Sequence, residues 1–137
     1  MKAYLTASIN NSATLAIKAG AEIADVRFKA VKLDAYGNAV LASVKGEAFL
    51  GIAIPTTGNA EGKVAKGGII DVQIKDIGLA VAGAAVEAGK PLTTDANGKL
   101  VAAASGNFII GYALDAAKAD GDIISVQVAK GYYPTGA

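Results

Sequence analysis

Alternation between apolar and polar residues is the main pattern along this chain. The alternation runs through Arg27–Leu33 (RFKAVKL), Asp71–Ile77 (DVQIKDI) and Ser125–Lys130 (SVQVAK), as it does in half-buried strands. Short apolar runs between turn residues are typical of buried strands, and they occur at Ala39–Ser43, Phe49–Ile54, Lys99–Ala103 and Phe108–Leu114. No stretch keeps a helical period over a convincing length. The pattern predicts an all-β fold.

Two hairpin turns are indicated by neighbouring glycine and asparagine residues between apolar segments. Gly37-Asn38 lies in DAYGNA, and Asn97-Gly98 lies in TDANGK. Both residue types accept the positive φ that tight hairpin turns require. The sequence therefore predicts two hairpins, one in each half of the chain.

An internal repeat relates the two halves. The matched pairs, first copy before second, are residues 19–23 and 82–86, 31–42 and 90–102, 50–54 and 110–114, and 69–74 and 123–128. The second pair differs by one residue at the hairpin, and the first copy carries six more residues between its last two segments. A surface loop tolerates such a length difference best. The shared Gly51 and Gly111 predict a bulge or a close approach of two backbones.

We therefore predict a compact β-sandwich or barrel-like domain over residues 19–137, built from pseudo-repeated β-units at about 19–77 and 78–130. Neither unit is expected to close a core alone. Residues 1–18 lie outside the repeat and are predicted to be an N-terminal arm or an added strand. Residues 131–137 form a short C-terminal tail.

Composition and charge narrow the classes of partner. The chain has 137 residues, enough for one domain, and its aromatic content of 6% predicts a core of Val, Ile, Leu and Ala. A formal charge of +1, with one arginine and scattered lysines, argues against direct nucleic-acid binding. The apolar run Ile77–Val86 is too short to cross a bilayer, so we expect a soluble protein without a membrane partner.

Residues suited to catalysis or metal binding are few. The chain has no histidine and no cysteine, so the common nucleophile–base pairs and transition-metal ligand sets are missing. Asp115, Asp120 and Asp122 could hold a hard cation, but they lack the EF-hand order, and a solvated loop is the simpler interpretation. Gly58–Val64 lacks the Ser or Thr of a phosphate-binding loop. We predict neither an enzyme nor a bound cofactor.

Two alternative functions stay open at this point. Lys99 lies at a hairpin, as the modified lysine of lipoyl and biotinyl carrier domains does, but Gly98 and Leu100 replace its characteristic neighbours. A carbohydrate-recognition or cell-surface-binding module would need exposed aromatic platforms, for which the candidates are Tyr36, Tyr112, Tyr132 and Tyr133, with Tyr4 in the arm. Tyr132 and Tyr133 could equally anchor an interface or pack on their own sheet.

The C-terminal two-thirds of the chain resembles the capsid decoration, or cement, proteins of tailed bacteriophages. The resemblance is carried by AGAAVEAGKPLTTDANGKLVAAASGNFIIGYALDAAKADGDIISVQV, residues 82–128. Upstream, VKLDAYGNAVLA and FLGIAI fit the earlier half of the same pattern and extend the resemblance to about residues 19–129.

The resemblance implies a non-enzymatic virion protein that is made in the host cytoplasm and binds the outside of the expanded shell. It implies that the protein bridges neighbouring major capsid subunits and so stabilises the shell, often as a homotrimer. It also implies an N-terminal arm that adds a strand to the shell protein, with candidate contacts Lys2, Tyr4, Leu5, Ile9, Leu15 and Ile17. Tyr132 and Tyr133 are the candidate interface residues of the tail.

Overall fold

The computed structural model describes residues 12–54 and 60–135, and every regular element in these ranges is a strand. The strands are β1 (Thr14–Lys18), β2 (Ala30–Leu33), β3 (Ala39–Leu41), β4 (Gly51–Ala53), β5 (Ile69–Gln73), β6 (Ile77–Val81), β7 (Pro91–Thr94), β8 (Leu100–Ala102), β9 (Phe108–Ala113) and β10 (Ile123–Tyr132). No helix in the described ranges is long and apolar enough to cross a membrane. The all-β prediction is confirmed.

The strands form two antiparallel five-stranded sheets with the same topology. The first has the order β1-β5-β4-β2-β3, and the second has the order β6-β10-β9-β7-β8. The registers also correspond, because Thr14 pairs with Gln73 in the first sheet as Ile77 pairs with Gln127 in the second. The predicted duplication is confirmed. We call β1–β5 the first unit and β6–β10 the second unit.

The first unit includes β1, which the sequence comparison left outside the repeat. β1 pairs with β5 over five residues, as β6 pairs with β10. The two strands share little sequence, TLAIK against IGLAV, so the correspondence is visible only in the sheet order. Residues 14–18 therefore belong to the folded module.

Two predicted strands are shorter in the structure than in the sequence pattern. β2 begins at Ala30 rather than Arg27 because Phe28 has a φ of 62°, which a strand does not accommodate. β5 ends at Gln73 rather than Ile77, and Asp76, with a φ of 65°, turns the chain into β6. Phe28 donates its backbone N–H to Ala53, as Gly89 does to Ala113, so the phenylalanine occupies a glycine-like position.

The two hairpins have equal lengths, so the predicted one-residue difference is wrong. Asp34–Asn38 and Asp95–Lys99 correspond residue by residue, and the glycine of each has positive φ, 82° and 75°. The Asp34 carboxylate accepts two backbone N–H groups at 2.9 Å each, and the Asp95 carboxylate accepts two at 2.8 and 3.0 Å. The six additional residues of the first unit lie between β4 and β5, in a connection of which residues 55–59 are outside the described ranges.

The shared glycines of β4 and β9 allow neighbouring backbones to approach closely, as predicted. A Cβ on Gly51 would lie 2.1 Å from the Gln73 carbonyl oxygen, and one on Gly111 would lie 1.9 Å from that of Gln127. Neither distance is compatible with a side chain. Any larger residue at these positions would push β4 away from β5, or β9 away from β10.

Each sheet curls so that its two edges meet. An isolated parallel bridge joins Ala19, just after β1, to Ala39 in β3, and the equivalent bridge joins Ala82 to Leu100. An antiparallel bridge joins Ile23 to Val64 in the first unit. Each unit is therefore barrel-like, and its inward-facing residues form a core.

The described residues form two apolar clusters rather than one shared core. The first contains only first-unit residues, namely Ala19, Ile23, Val26, Val31, Ala39, Ala53, Val64, Ile70 and Val72. The second lies mostly in the second unit but also takes Ala30, Ala42, Phe49 and Ile52 from the first. Among these residues the first unit thus has an apolar cluster of its own, whereas the cluster of the second unit includes residues of its neighbour.

Backbone hydrogen bonds also hold the two units together. The Ala30 N–H donates to the Gly98 carbonyl oxygen at 2.7 Å, and the Gly46 N–H donates to that of Thr94 at 3.0 Å. Gly46 in turn accepts the Phe108 N–H at 3.0 Å. The Phe49 and Phe108 rings meet edge to face, with centroids 5.3 Å apart. The second hairpin thus lies against the start of β2.

Candidate interaction surface

The outward-facing side of the second sheet carries five large apolar side chains that are 43% to 56% exposed. They are Ile77 and Leu79 on β6, Tyr112 on β9, Ile123 on β10 and Leu114 just after β9. We call them the outer apolar face. The strand registers place Gln127 between Ile77 and Tyr112, and Ser125 beside Leu79. Exposed apolar surface of this extent is typical of a contact site.

Three of these positions are more polar, smaller or buried in the first unit, whereas Ile69, the counterpart of Ile123, is itself 51% exposed. Ile77 and Leu79 correspond to Thr14 and Ala16, and Ser125 corresponds to Asp71. Tyr112 corresponds to Ile52, which is fully buried because the second unit covers it. Since the first unit forms the same sheet with the smaller Thr14 and Ala16, the fold does not require large apolar residues at positions 77 and 79.

A cleft of ≈ 350 Å³ lies between the units, next to one end of the outer apolar face. Its lining residues are Asp25, Arg27, Phe28, Lys29, Val81, Lys99 and Ile123. Arg27 donates from Nε and Nη2 to the two Asp25 carboxylate oxygens at 2.9 and 3.0 Å. These hydrogen bonds lower the pKa of Asp25, so both groups stay charged and paired. The Asp25–Arg27 pair therefore has a structural role in the wall of the cleft.

Lys99, the residue considered for covalent modification, lies in an ion pair. Its Nζ is 2.9 Å from Asp120 Oδ1, and this hydrogen bond raises the pKa of the lysine. A Cβ on the adjacent Gly98 would lie 3.5 Å from the Ala30 carbonyl oxygen, so the hairpin packs on the first unit. A carrier lysine needs a free hairpin tip, and this arrangement counts against that alternative.

The three clustered aspartates each have a different local role. Asp115 accepts the Ser125 N–H at 2.7 Å, Asp120 pairs with Lys99, and Asp122 accepts backbone N–H groups of the preceding loop at 2.7 and 3.2 Å. Within residues 12–54 and 60–135, no group of three or more acidic residues could hold a metal ion. Of the segment compared with a phosphate-binding loop, Gly58 and Asn59 lie outside the described residues, while Val64 bridges to Ile23.

The candidate arm divides at the start of β1. Lys2, Tyr4, Leu5 and Ile9 lie outside the described residues. Leu15 and Ile17 lie in β1, and both are partly buried. Ile17 packs against the first core and therefore contributes to the fold itself.

The tail tyrosines lie at the end of β10. The Tyr132 ring meets the Phe108 ring edge to face at 5.5 Å but remains 67% exposed. The Tyr133 N–H donates to the Asn107 carbonyl oxygen at 2.9 Å, and its own carbonyl oxygen accepts the Gly106 N–H at 3.2 Å. The tail backbone thus packs on its own unit while the Tyr132 side chain stays available for contacts.

Sequence reasoning missed Ile77, Leu79 and Ile123 as surface residues. Their segments are so rich in apolar residues that they indicate buried strands. The exposure of Ile77 and Leu79 becomes apparent when β6 is aligned with β1, which has the same place in its sheet. This alignment compares Ile77 and Leu79 with Thr14 and Ala16.

The fold and this surface describe a structural module: a duplicated, barrel-like β-protein with an exposed apolar sheet face. The chain belongs to the phage cement protein family, whose family model matches residues 7–128. It is thus a member of a family of structural, capsid-associated proteins of phage virions.

The solved structures that match include the N base of head fiber gp8.5 in bacteriophage phi29, which is similar over most of the chain. The match has a TM-score of 0.59 and 17% sequence identity, and it covers 85% of this chain and 92% of that one. At this identity the likeness concerns the fold. A search of curated proteins found no match.

Proposed function

We propose that this protein binds the outer surface of the expanded phage capsid and stabilises it by bridging neighbouring major capsid subunits. The observation that carries the proposal is that exposed apolar side chains lie at two separate places on the module: the outer apolar face and the Tyr132 end of β10. Bridging requires more than one contact surface per chain. Family membership supports the capsid as the partner.

Bridging also explains how modest contacts can stabilise a shell. After one contact is made, the next forms at a high effective concentration, so total affinity exceeds that of each site. The closed sheets keep the contact surfaces at fixed separations, which makes their simultaneous binding geometrically possible. The formal charge of +1 allows copies to lie close together without strong repulsion.

The arm proposal now concerns the residues before β1. Because Leu15 and Ile17 are part of the first sheet, the strand offered to the shell protein would come from residues 1–13, which include Lys2, Tyr4, Leu5 and Ile9. An extended segment can add to an exposed sheet edge through its backbone groups, while alternate side chains set the register. Three copies acting as a homotrimer would present three such segments.

Co-sedimentation with undecorated expanded capsids of the source phage, with unexpanded procapsids as comparison, tests the proposed function. We expect saturable binding to expanded shells only, and a higher temperature of shell rupture. Deletion of residues 1–11 should weaken binding at least tenfold, whereas Val44→Asp, at an exposed loop position, should leave it unchanged. Equal binding to both shells would remove the preference for the expanded state.

The absence of binding to either shell would bring the recognition-module alternative forward. A glycan array with the wild type and with a Tyr132→Ala, Tyr133→Ala double variant would then test it. The exposed tyrosines lie at separate places, with Tyr36 at a hairpin, Tyr112 on the sheet and Tyr132 at the end of β10. This dispersion favours the capsid proposal over a single sugar-binding platform.

A further inference from the structure

The contact between the two units uses a different face of each. The first unit contributes what we call its front face, formed by Ala30, Ala42, Gly46 and Ile52. The second unit contributes what we call its back face, formed by Gly78, Val81, Thr94, Gly98 and Phe108. Because the units share one fold, this is a head-to-tail contact between similar modules.

A head-to-tail contact leaves one face of each kind uncovered. The front face of the second unit consists of the counterparts Pro91, Ala103, Gly106 and Tyr112. Tyr112 is 43% exposed, whereas its counterpart Ile52 is fully buried. Pro91 and Ala103 are partly exposed, whereas Ala30 and Ala42 are buried.

The back face of the first unit is open in the same way. Its residues, the counterparts of the back face in the second unit, are Leu15, Lys18, Leu33, Gly37 and Ala48. Leu33 is 46% exposed, whereas its counterpart Thr94 is fully buried. No atom of residues 12–54 or 60–135 lies within 4 Å of a Cβ built on Gly37, whereas one on Gly98 would lie 3.5 Å from the Ala30 carbonyl oxygen. Within the described part of the chain, the first hairpin therefore has no neighbour at the place where the second hairpin packs.

We propose that the open front face of the second unit binds the open back face of the first unit of another copy of this chain. The internal contact shows that this fold pairs these two faces, and the outer apolar face supplies uncharged surface around Tyr112. Repetition of one head-to-tail contact closes a ring when the rotation allows it. If the protein is a homotrimer, as the proposed function has it and as this inference requires, three copies form a ring of six β-units.

The contact between copies differs from the internal one in two respects. Pro91 replaces Ala30 and has no N–H, so the hydrogen bond that Ala30 makes to Gly98 has no equivalent. The C-terminal tail covers the part of the open front face around Gly106. The Tyr133 carbonyl oxygen accepts the Gly106 N–H there, as the Thr94 carbonyl oxygen accepts the Gly46 N–H in the internal contact. The remaining surface is centred on Tyr112, at the β9 side of the outer apolar face, so the copies associate mainly through apolar side chains.

Three charge substitutions test the pairing of faces. Tyr112→Asp alters the open front face, Leu33→Asp alters the open back face, and Val44→Asp is a control at a position 59% exposed that lies on neither face. Sedimentation equilibrium of the full chain should give the mass of three copies for the wild type and the control. Each interface variant should dissociate at least 100-fold more readily and sediment as one copy.

A mixture of the two interface variants distinguishes this proposal from other modes of association. The Tyr112→Asp chain keeps a working back face, and the Leu33→Asp chain keeps a working front face. A head-to-tail contact therefore predicts a complex of two copies in the mixture, although each variant alone is monomeric. A mixture that stays monomeric, a wild type that is monomeric at every concentration, or variants that still form trimers would each overturn the proposal.

Two controls separate this result from folding and from capsid binding. Each variant should unfold within a few degrees of the wild type, and Tyr112→Phe should restore the trimer. Co-sedimentation with expanded shells is measured separately. A wild type that forms trimers but binds no shell would support the proposed pairing and reject the cement function. A wild type that binds shells as a monomer would reject the pairing and support the cement function.

Discussion

At the scale of single residues, Gly51 and Gly111 set the distance between neighbouring strands. Both lie where a Cβ would overlap a backbone carbonyl oxygen of the next strand. Backbone atoms of a central strand cannot move aside as the end of a flexible side chain can. The requirement for glycine here is steric and does not depend on φ.

We expect Gly111→Ala to lower the free energy of unfolding by about 3 kcal/mol, because the methyl group must displace β9 from β10. The matched control is Gly131→Ala in β10, where no atom of the described residues lies within 4 Å of the added carbon. That change should stay within about 1 kcal/mol of the wild type. Urea unfolding followed by circular dichroism measures both, and equal stabilities would contradict the steric argument.

Glu47 anchors the loop after β3 by accepting several hydrogen bonds. Its carboxylate accepts the Ser43 and Val44 N–H groups at 2.7 and 2.8 Å and lies 2.9 Å from Lys32 Nζ. Burial alone would raise the pKa of Glu47, but hydrogen bonds from Ser43, Lys32 and Val44 outweigh it and lower the pKa below its usual 4.5. The charged form is therefore favoured in the folded state.

A lowered pKa makes the contribution of Glu47 dependent on pH. The stabilisation is fully present above the unfolded-state value of about 4.5 and is lost as the pH falls through the lower folded-state value. We expect Glu47→Gln to cost about 1–2 kcal/mol at pH 7 and less at pH 3. Thermal unfolding between pH 7 and pH 3 tests this, and a cost independent of pH would exclude the charge as its cause.

At the scale of elements, β1 determines how much of the N-terminus can be removed. It contributes five residue pairs with β5, and Ile17 packs against the first core. Residues 1–11 precede it and lie outside the described ranges. A deletion that extends past residue 13 therefore removes part of this strand.

We expect deletion of residues 1–11 to change the unfolding temperature by no more than about 3 °C, an effect below 1 kcal/mol. Deletion of residues 1–18 should lower it by more than about 10 °C, because it exposes the edge of β5 and removes Ile17 from the core. Differential scanning calorimetry of both truncated chains measures the effect. Equal unfolding temperatures would show that β1 adds little to the first unit.

At the scale of the whole molecule, the two units depend on each other unequally. Among the residues that the structure describes, the first core is formed by first-unit residues alone, whereas the second includes four residues of the first unit. Two of those four, Phe49 and Ile52, are large side chains that are at most 5% exposed. Separation of the two units should therefore destabilise the second unit more than the first.

We expect a fragment of residues 76–137 to be unfolded in isolation and a fragment of residues 1–75 to retain β-structure. Domains of about 60 residues are marginally stable, so the loss of four core residues is enough to unfold the second. Amide proton dispersion in NMR spectra of both fragments tests this. Mixing them should restore the dispersed spectrum of the second, and a second fragment that folds alone would contradict the prediction.

The sequence was sufficient for local features because their causes are local. The alternation of apolar and polar residues located most strands, and the glycine–asparagine pairs located both hairpins. The shared glycines correctly indicated close backbone approaches. By contrast, β1 and β6 have the same place in their sheets but almost no sequence in common. The predicted repeat therefore begins at residue 19, whereas the repeated structure begins with β1.

The order of the residues is thus enough to predict the β class, the duplication, the turns and the family. Which copy of each repeated position is covered follows instead from how the two units pack on each other. Ile52 and Tyr112 occupy equivalent positions in β4 and β9, and nothing near them in sequence shows that one is buried and the other exposed. The physical reason is that a head-to-tail contact between similar units breaks their equivalence: it covers the front face of the first and leaves that of the second open to a further partner.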